Sequence, residues 1–534
     1  MNEEEVIKTE ENALKAEKKV KFGTKQTSIN MITQMLSFAI NMLIGFFLTP
    51  YIVENVQSGN GFITLSSNFI SYATLITTAI NSMAGRFIAI SYFRDEKENV
   101  LKYYSSVFFA NVFLCLIFTI PVILLIAFLP NLIDVPVGLV GDVRALFLLV
   151  FAHFFIDLIF STFVSSGYVL NRLDMVAMRK TEATVLKGVL SFLIFFIFIP
   201  HLWYVGLVQV LCSIYNAFRN YRIYKKLMPE VKISKKYFDI HKVAELLSSG
   251  IWNTISSVGS VLVNGLDVLI ANMAINAAAM DIVSVAKYVP VYVQSLVVTL
   301  ANVFAPKQTK LFAEGDFKGM KKTLVSSSRF TALITALPVV FMIVYGKQFF
   351  TLWVPSKDAQ ILWILATVSV AMYPIQLVAS TFNAVITSAN KVKLNSLVTI
   401  GVSLVSILVM FILLRFTDNE TIKMAIIVGC SMLFLTLQSL AFTVPYCAKI
   451  IRCKTVSFYW VFIQSVVCVA VSCVICFFIS KAFIANTWIK LIVSGAIVCI
   501  VSAVVGVFVI LGKEERRSGI AVIKNKFRIK KEDK

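Results

Sequence analysis

Runs of about 20 mainly apolar residues recur from about residue 27 to about residue 512 of this 534-residue chain. A backbone crosses lipid only where its polar groups bond to one another, so each run reads as a transmembrane helix. Fourteen are expected, over about 27–50, 62–85, 104–129, 145–169, 183–200, 202–218, 245–271, 281–305, 324–345, 359–388, 394–415, 424–447, 456–480 and 489–511. The fifth and sixth are separated only by Pro200, His201 and Leu202. Hydrophobic residues make up 58% of the chain and charged residues 15%, against roughly 45–50% and roughly 25% in a soluble domain. With no linker rich in Gly, Ser or Pro, the chain reads as one all-α polytopic membrane body and not as a string of soluble domains.

Charge placement sets the expected orientation. Of the 50 Lys and Arg residues, 42 fall in segments on the side of the N-terminus. This is the positive-inside asymmetry expected of a multi-pass protein with both termini cytoplasmic. It accounts for the net charge of +21 without nucleic acid as a partner. Residues 1–26 read as a charged cytoplasmic tail with no removable signal peptide, and the basic tail 512–534 as a segment lying against anionic lipid headgroups. Most of the nine cysteines lie within apolar helices, and the Cys473 and Cys476 pair, lacking a second pair, reads as core packing.

The two halves repeat. Ser161-Thr162-Phe163 recurs as Ser380-Thr381-Phe382 and Asn171-Arg172 as Asn390-Lys391, both 219 residues on. Phe93 and Phe312 precede charged loops at the same offset, and Pro121 and Pro338 lie inside corresponding helices. Six helices per half is an even number, so the halves are expected to be parallel repeats, a plan in which transporters hold substrate between the halves. The expected organisation is an N-terminal six-helix bundle over 27–222, a cytoplasmic linker over 223–244, a C-terminal six-helix bundle over 245–450, and two further helices over 456–511.

The chain resembles the multidrug/oligosaccharidyl-lipid/polysaccharide exporter superfamily, and within it the O-antigen or capsule type polysaccharide flippases. The resemblance lies in Leu48-Thr49-Pro50-Tyr51-Ile52-Val53, Asn81-Ser82-Met83-Ala84-Gly85-Arg86-Phe87-Ile88, Asn264-Gly265-Leu266-Asp267-Val268-Leu269-Ile270 and Ser284-Val285-Ala286-Lys287-Tyr288-Val289-Pro290, with Pro306 beyond. It implies two MATE-like bundles around a cavity open alternately to each side. The implied activity is transfer of a polyprenyl-diphosphate-linked oligosaccharide across the plasma membrane, with polysaccharide polymerase and glycosyltransferases as partners. The alternatives are a MATE-type drug/cation antiporter, a lipid II flippase and a polytopic lipid-linked sugar polymerase. Membrane lipids are partners in every case.

Charges inside the membrane are functional candidates because they are costly there. Asp157 and His153 share a helix face at i, i+4, which suits a proton relay or a polar clamp. Asp267 and Lys287 stand at similar depth on adjacent helices, as a structural ion pair or as a site. In the second reading Lys287 engages a diphosphate or acidic sugar while Asp267 positions it or binds a coupling cation, a proton or Na+ being the candidates. Arg86, after the small residues Ser82, Ala84 and Gly85, is a candidate for diphosphate capture at the inner mouth, where Arg172, Arg219, Arg329 and Lys391 also stand. Asn30, Asn41, Asn253 and Asn264 suit sugar hydroxyls or interhelical bonding, and Pro290, three residues after Lys287, suits a gating bend. No nucleotide-binding motif or metal-ligand spacing appears, so a transporter without a cofactor is expected, driven by an ion gradient or by consumption of substrate.

Overall fold

The computed structural model describes residues 35–36, 38–56, 58–170, 172–389, 391–512 and 516. They form helices throughout: α1 Phe38–Asn55, α2 Gly59–Phe93, α3 Lys97–Ala127, α4 Val140–Val169, α5 Leu173–Ile197, α6 Trp203–Leu227 and α7 Ile240–Asn264. Next come α8 Asp267–Ala274, α9 Ala277–Ala301, α10 Ala305–Ala313, α11 Phe317–Trp353, α12 Ala359–Ala371, α13 Tyr373–Ser388 and α14 Val392–Leu414. The series ends with α15 Glu420–Gln438, a π-helical turn Ser439–Thr443, α16 Val444–Ile450, α17 Val456–Ala482 and α18 Trp488–Val509.

Ten described helices are long and apolar enough to span a membrane, eleven if the pair α12 and α13 counts as one bent span. The other three expected spans form α5, α6 and α7, each 25 residues long but more polar. Charge is the reason in α5, which carries Asp174, Arg179, Lys180, Glu182 and Lys187, whereas α7 has no charge after Glu245 and is polar through its Ser, Thr and Asn residues.

Three expected elements differ in detail. The helix over 245–271 breaks between Asn264 and Asp267, where Gly265 is a weak helix former and an Asp favours a helix's first turn. The helix over 359–388 bends by 41° at Met372, just before Pro374, which lacks the N–H that would continue the ladder. Arg86 was expected to close its helix, yet α2 continues two turns past it to Phe93.

The chain divides into two compact units, one holding the described residues to Val56 and Ser66–Thr254, the other 58–65 and Ile255 onward. In the first, α4 and α6 form the most extensive helix pair, and aromatic residues from α3, α4 and α6 (Tyr104, Phe163, Tyr224) close the core. Here α7 crosses α2 so closely that a Cβ on Gly250 would stand 1.8 Å from the Ala79 carbonyl oxygen. In the second unit α11 is the hub, packed on α12, α13, α17 and α18. Small hydroxyl residues such as Ser327, Ser328, Thr331 and Thr335 fill its contact face, as expected where helices associate in lipid through close approach. Outward faces are apolar: Phe113, Leu116, Ile120 and Leu124 line one exposed stripe of α3.

Two pairs of turns match in backbone detail. The α2–α3 turn passes through Asp95 at φ 57°, the α10–α11 turn through Gly315 at φ 72°. In the first, the N–H groups of Asp95, Glu96 and Lys97 donate to Tyr92, Ser91 and Asp95; in the second, those of Gly315, Asp316 and Phe317 donate to Phe312, Leu311 and Gly315. Every donor and acceptor is shifted by the same 220 residues. The N–H groups of Arg172 and Lys391, after the two copies of the Ser-Thr-Phe motif, likewise bond to the carbonyls of Gly167 and Ile386.

Candidate functional site

In the second unit Asp267 opens α8 and Lys287 lies on α9; the two form an ion pair, with the side chains 1% and 10% exposed respectively. Ser431 Oγ donates to the other Asp267 carboxylate oxygen at 3.4 Å. The break before α8 sets the carboxylate at a helix N-terminus, where the backbone N–H groups favour negative charge. One turn beyond Lys287, α9 runs unbroken through Pro290, whose carbonyl accepts from Tyr373 Oη at 3.1 Å. Tyr373 opens α13 next to its bend, so the proline of one helix is tied to the hinge of another.

A second buried ion pair was not anticipated. Asp281, fully buried near the start of α9, pairs with Lys357 at 2.9 Å and accepts the Gly61 N–H at 2.9 Å. Asn60 Nδ2 donates to Ser284 Oγ at 2.9 Å alongside. A Cβ on Gly61 would come within 3.0 Å of the Asp281 backbone, so glycine is what lets the two chains meet. Lys357 is far from Asp281 in sequence, and no spacing rule connects them.

In the first unit Asp157 and His153 do share a face of α4, but their nearest atoms are 3.7 Å apart, beyond hydrogen-bond length. His153 Nδ1 bonds instead to Ser213 Oγ on α6, and the Asp157 side chain is 47% exposed. On α5, Glu182 receives a two-pronged contact from Arg219 at 2.9 and 3.1 Å and a bond from Tyr215 Oη at 2.9 Å. Arg179, one turn before Glu182, is only 6% exposed. Its Nε and Nη1 have no partner, while Asp157, Arg219 and Glu182 lie within electrostatic reach. Arg179 is one of the 42 basic residues on the side of the N-terminus; inside α5 it is a buried cation with donors to spare.

The remaining candidates are dispersed. Arg86 is exposed beside Arg94, Phe93 and Tyr168 on a surface groove. Asn41 Nδ2 reaches Thr184 Oγ1 at 3.5 Å, and Asn253 Nδ2 donates to Ser82 Oγ at 3.1 Å, both contacts between helices. Asn30 and the Asn264 side chain lie outside the described residues, as do Asn171 and Asn390.

The second unit also contains a cavity of about 520 Å³ that includes Gln376, the residue 219 positions after Asp157. No pairing of charges signals it. The signal in the sequence was the spacing of polar residues along one apolar segment.

No family model matches the chain. It is 25% identical over 501 residues to the uncharacterized membrane protein EpsK of Bacillus subtilis (strain 168), spanning 92% of this chain and 96% of EpsK. Among solved structures it is similar to the lipid II flippase MurJ in an inward closed conformation, with a TM-score of 0.62 at 14% identity, over 91% of this chain and 99% of that one. It is also similar to a multidrug resistance MATE family transporter of the MOP superfamily in its inward-facing form, with a TM-score of 0.60 at 14% identity over 78% of this chain and 99% of that one. The outward-facing form gives a TM-score of 0.56 at 13% identity over 80% and 97%. The chain is therefore an all-α, multi-pass membrane protein with the fold that MurJ and the MATE transporters share.

Proposed function

We propose that the protein is a flippase that carries a polyprenyl-diphosphate-linked oligosaccharide across the plasma membrane for surface polysaccharide assembly. The observation that carries this reading is Arg179, a buried guanidinium with two nitrogens unpaired inside a transporter-like bundle. Carboxylates lie within electrostatic reach of Arg179, but buried donors left without acceptors cost a fold stability, and a diphosphate supplies the acceptors that these two nitrogens lack. Arg presents a planar fork of donors that matches phosphate oxygens. Two comparisons support the same reading. The likeness to MurJ covers 91% of the chain and that to MATE transporters 78–80%, a difference close to the length that α17 and α18 add. The EpsK likeness runs over nearly the whole chain.

The antiporter reading is weaker on a specific ground. Asp267, its candidate cation ligand, is already neutralised by Lys287 and hydrogen-bonded to Ser431.

The test is flipping of a fluorescent polyprenyl-diphosphate oligosaccharide in proteoliposomes, comparing wild type with Arg179→Met. Methionine keeps much of the volume and removes the charge. Thermal stability is expected to stay level or rise, because buried donors without acceptors are gone. Flipping is expected to fall about tenfold or more, the effect of losing a charged hydrogen bond worth ~1.5–3 kcal/mol. Wild-type rates in a folded Arg179→Met protein would remove Arg179 from transport and with it the main support for a diphosphate cargo.

A further inference from the structure

Helix α13 crosses an apolar region, yet Gln376, Ser380, Asn383 and Thr387 recur along it at intervals of four, three and four residues. That spacing puts all four on one helical face, and all four line the cavity of about 520 Å³. Two further amides point to an occupant. Gln438 is 8% exposed; its Nε2 donates to Thr399 Oγ1 at 2.6 Å while its Oε1 has no partner. The Asn395 Oδ1 is likewise buried and unpartnered. Both residues line the same cavity, and Gln438 directly precedes the π-helical turn Ser439–Thr443, a departure from α-helix that is frequent at functional sites.

The chemistry of the lining excludes most occupants. None of its described residues is charged or aromatic, so it offers no counter-ion to a diphosphate and no ring or carboxylate to a cationic drug. Its volume falls within the ~300–1,000 Å³ of a small-molecule site, far more than a bare cation fills. Amides and hydroxyls together present both donors and acceptors, which is what a ring of sugar hydroxyls requires.

We propose that this cavity is a binding subsite for uncharged saccharide, receiving the neutral sugar units of the cargo. The proposal rests on the flippase reading for its cargo, but the site is assigned from its own lining. Asn383 is exposed within the cavity wall and so serves as a reporter. The full-length Asn383→Cys variant is reconstituted in vesicles and its alkylation by a maleimide is followed at that peptide by mass spectrometry. Three probes are compared: polyprenyl diphosphate bearing a neutral oligosaccharide, bare polyprenyl diphosphate, and NaCl. The glycolipid at about ten times its Kd is expected to slow labelling about tenfold by mass action, with little effect from the bare lipid. Gln438→Met is expected to slow flipping of the glycolipid several-fold more than that of the bare lipid, and an equal effect on both overturns the proposal. Equal labelling with and without the sugar, or protection by NaCl alone, overturns the proposal. If the wild-type protein flips neither lipid, the flippase reading fails, and protection of Asn383→Cys by the glycolipid still reports a saccharide site.

Discussion

The Asp267–Lys287 pair shows how one contact carries two meanings. Both side chains are buried, so deleting either leaves a charge without its counter-ion at a cost of about 3–5 kcal/mol. Loss of transport in Lys287→Ala alone would therefore report misfolding as readily as mechanism. The double substitution Asp267→Asn with Lys287→Met separates them. It is expected to recover the melting temperature lost in the single variant while export of surface polysaccharide stays absent. Recovery of both would assign the pair to structure. Asp157 and His153 stand differently, since the histidine is bound to Ser213 and the carboxylate is half open. A relay through the two needs a water or a substrate group between them.

At the scale of helices, close approach does more than polarity to fix the packing. Gly250 on α7 faces the Ala79 carbonyl of α2 with no room for a methyl group, whereas a Cβ on Gly401 of α14 meets nothing within 4 Å. Gly250→Ala is expected to push the two helices apart and lower thermal stability by several degrees or abolish expression. Gly401→Ala is expected to be neutral or stabilising by roughly 0.5–1 kcal/mol, the helix-propensity difference alone. Fluorescence-detected size exclusion after heating compares them directly, and equal melting would refute the crossing. Sequence alone located these helices, though α2 runs eight residues past its expected end. It did not show that the run over 245–271 breaks before Asp267 or that α12 and α13 bend, because the hydropathy of a broken span matches that of a straight one.

For the whole molecule, the charge asymmetry predicts both termini on the cytoplasmic side, and that prediction requires an even number of crossings. Among the described residues eleven spans are long and apolar enough to cross a membrane when α12 and α13 count as one, and α5, α6 and α7 complete an even set of fourteen if the charges of α5 are sheltered by protein. The structure gives α5 such shelter: Arg179 is buried and Glu182 is held by Arg219 and Tyr215. A green fluorescent protein fused after residue 534 is expected to fluoresce and an alkaline phosphatase at the same point to be inactive. The opposite pattern would reverse the orientation.

The sequence by itself marked the apolar runs, because lipid demands them, and it carried the motif pairs 219 residues apart on which the expected doubling rests. It also held the polar stripe from Gln376 to Thr387, whose period is that of one helix face. What only the tertiary structure decided were the encounters between distant segments: Asp281 with Lys357, Arg179 buried among Asp157, Glu182 and Arg219, and the amides of four helices around one cavity. A hydropathy pattern shows how deep a residue lies along its own helix. Which neighbour it faces depends on the rotation and crossing of helices far apart in the chain, and that is set by packing.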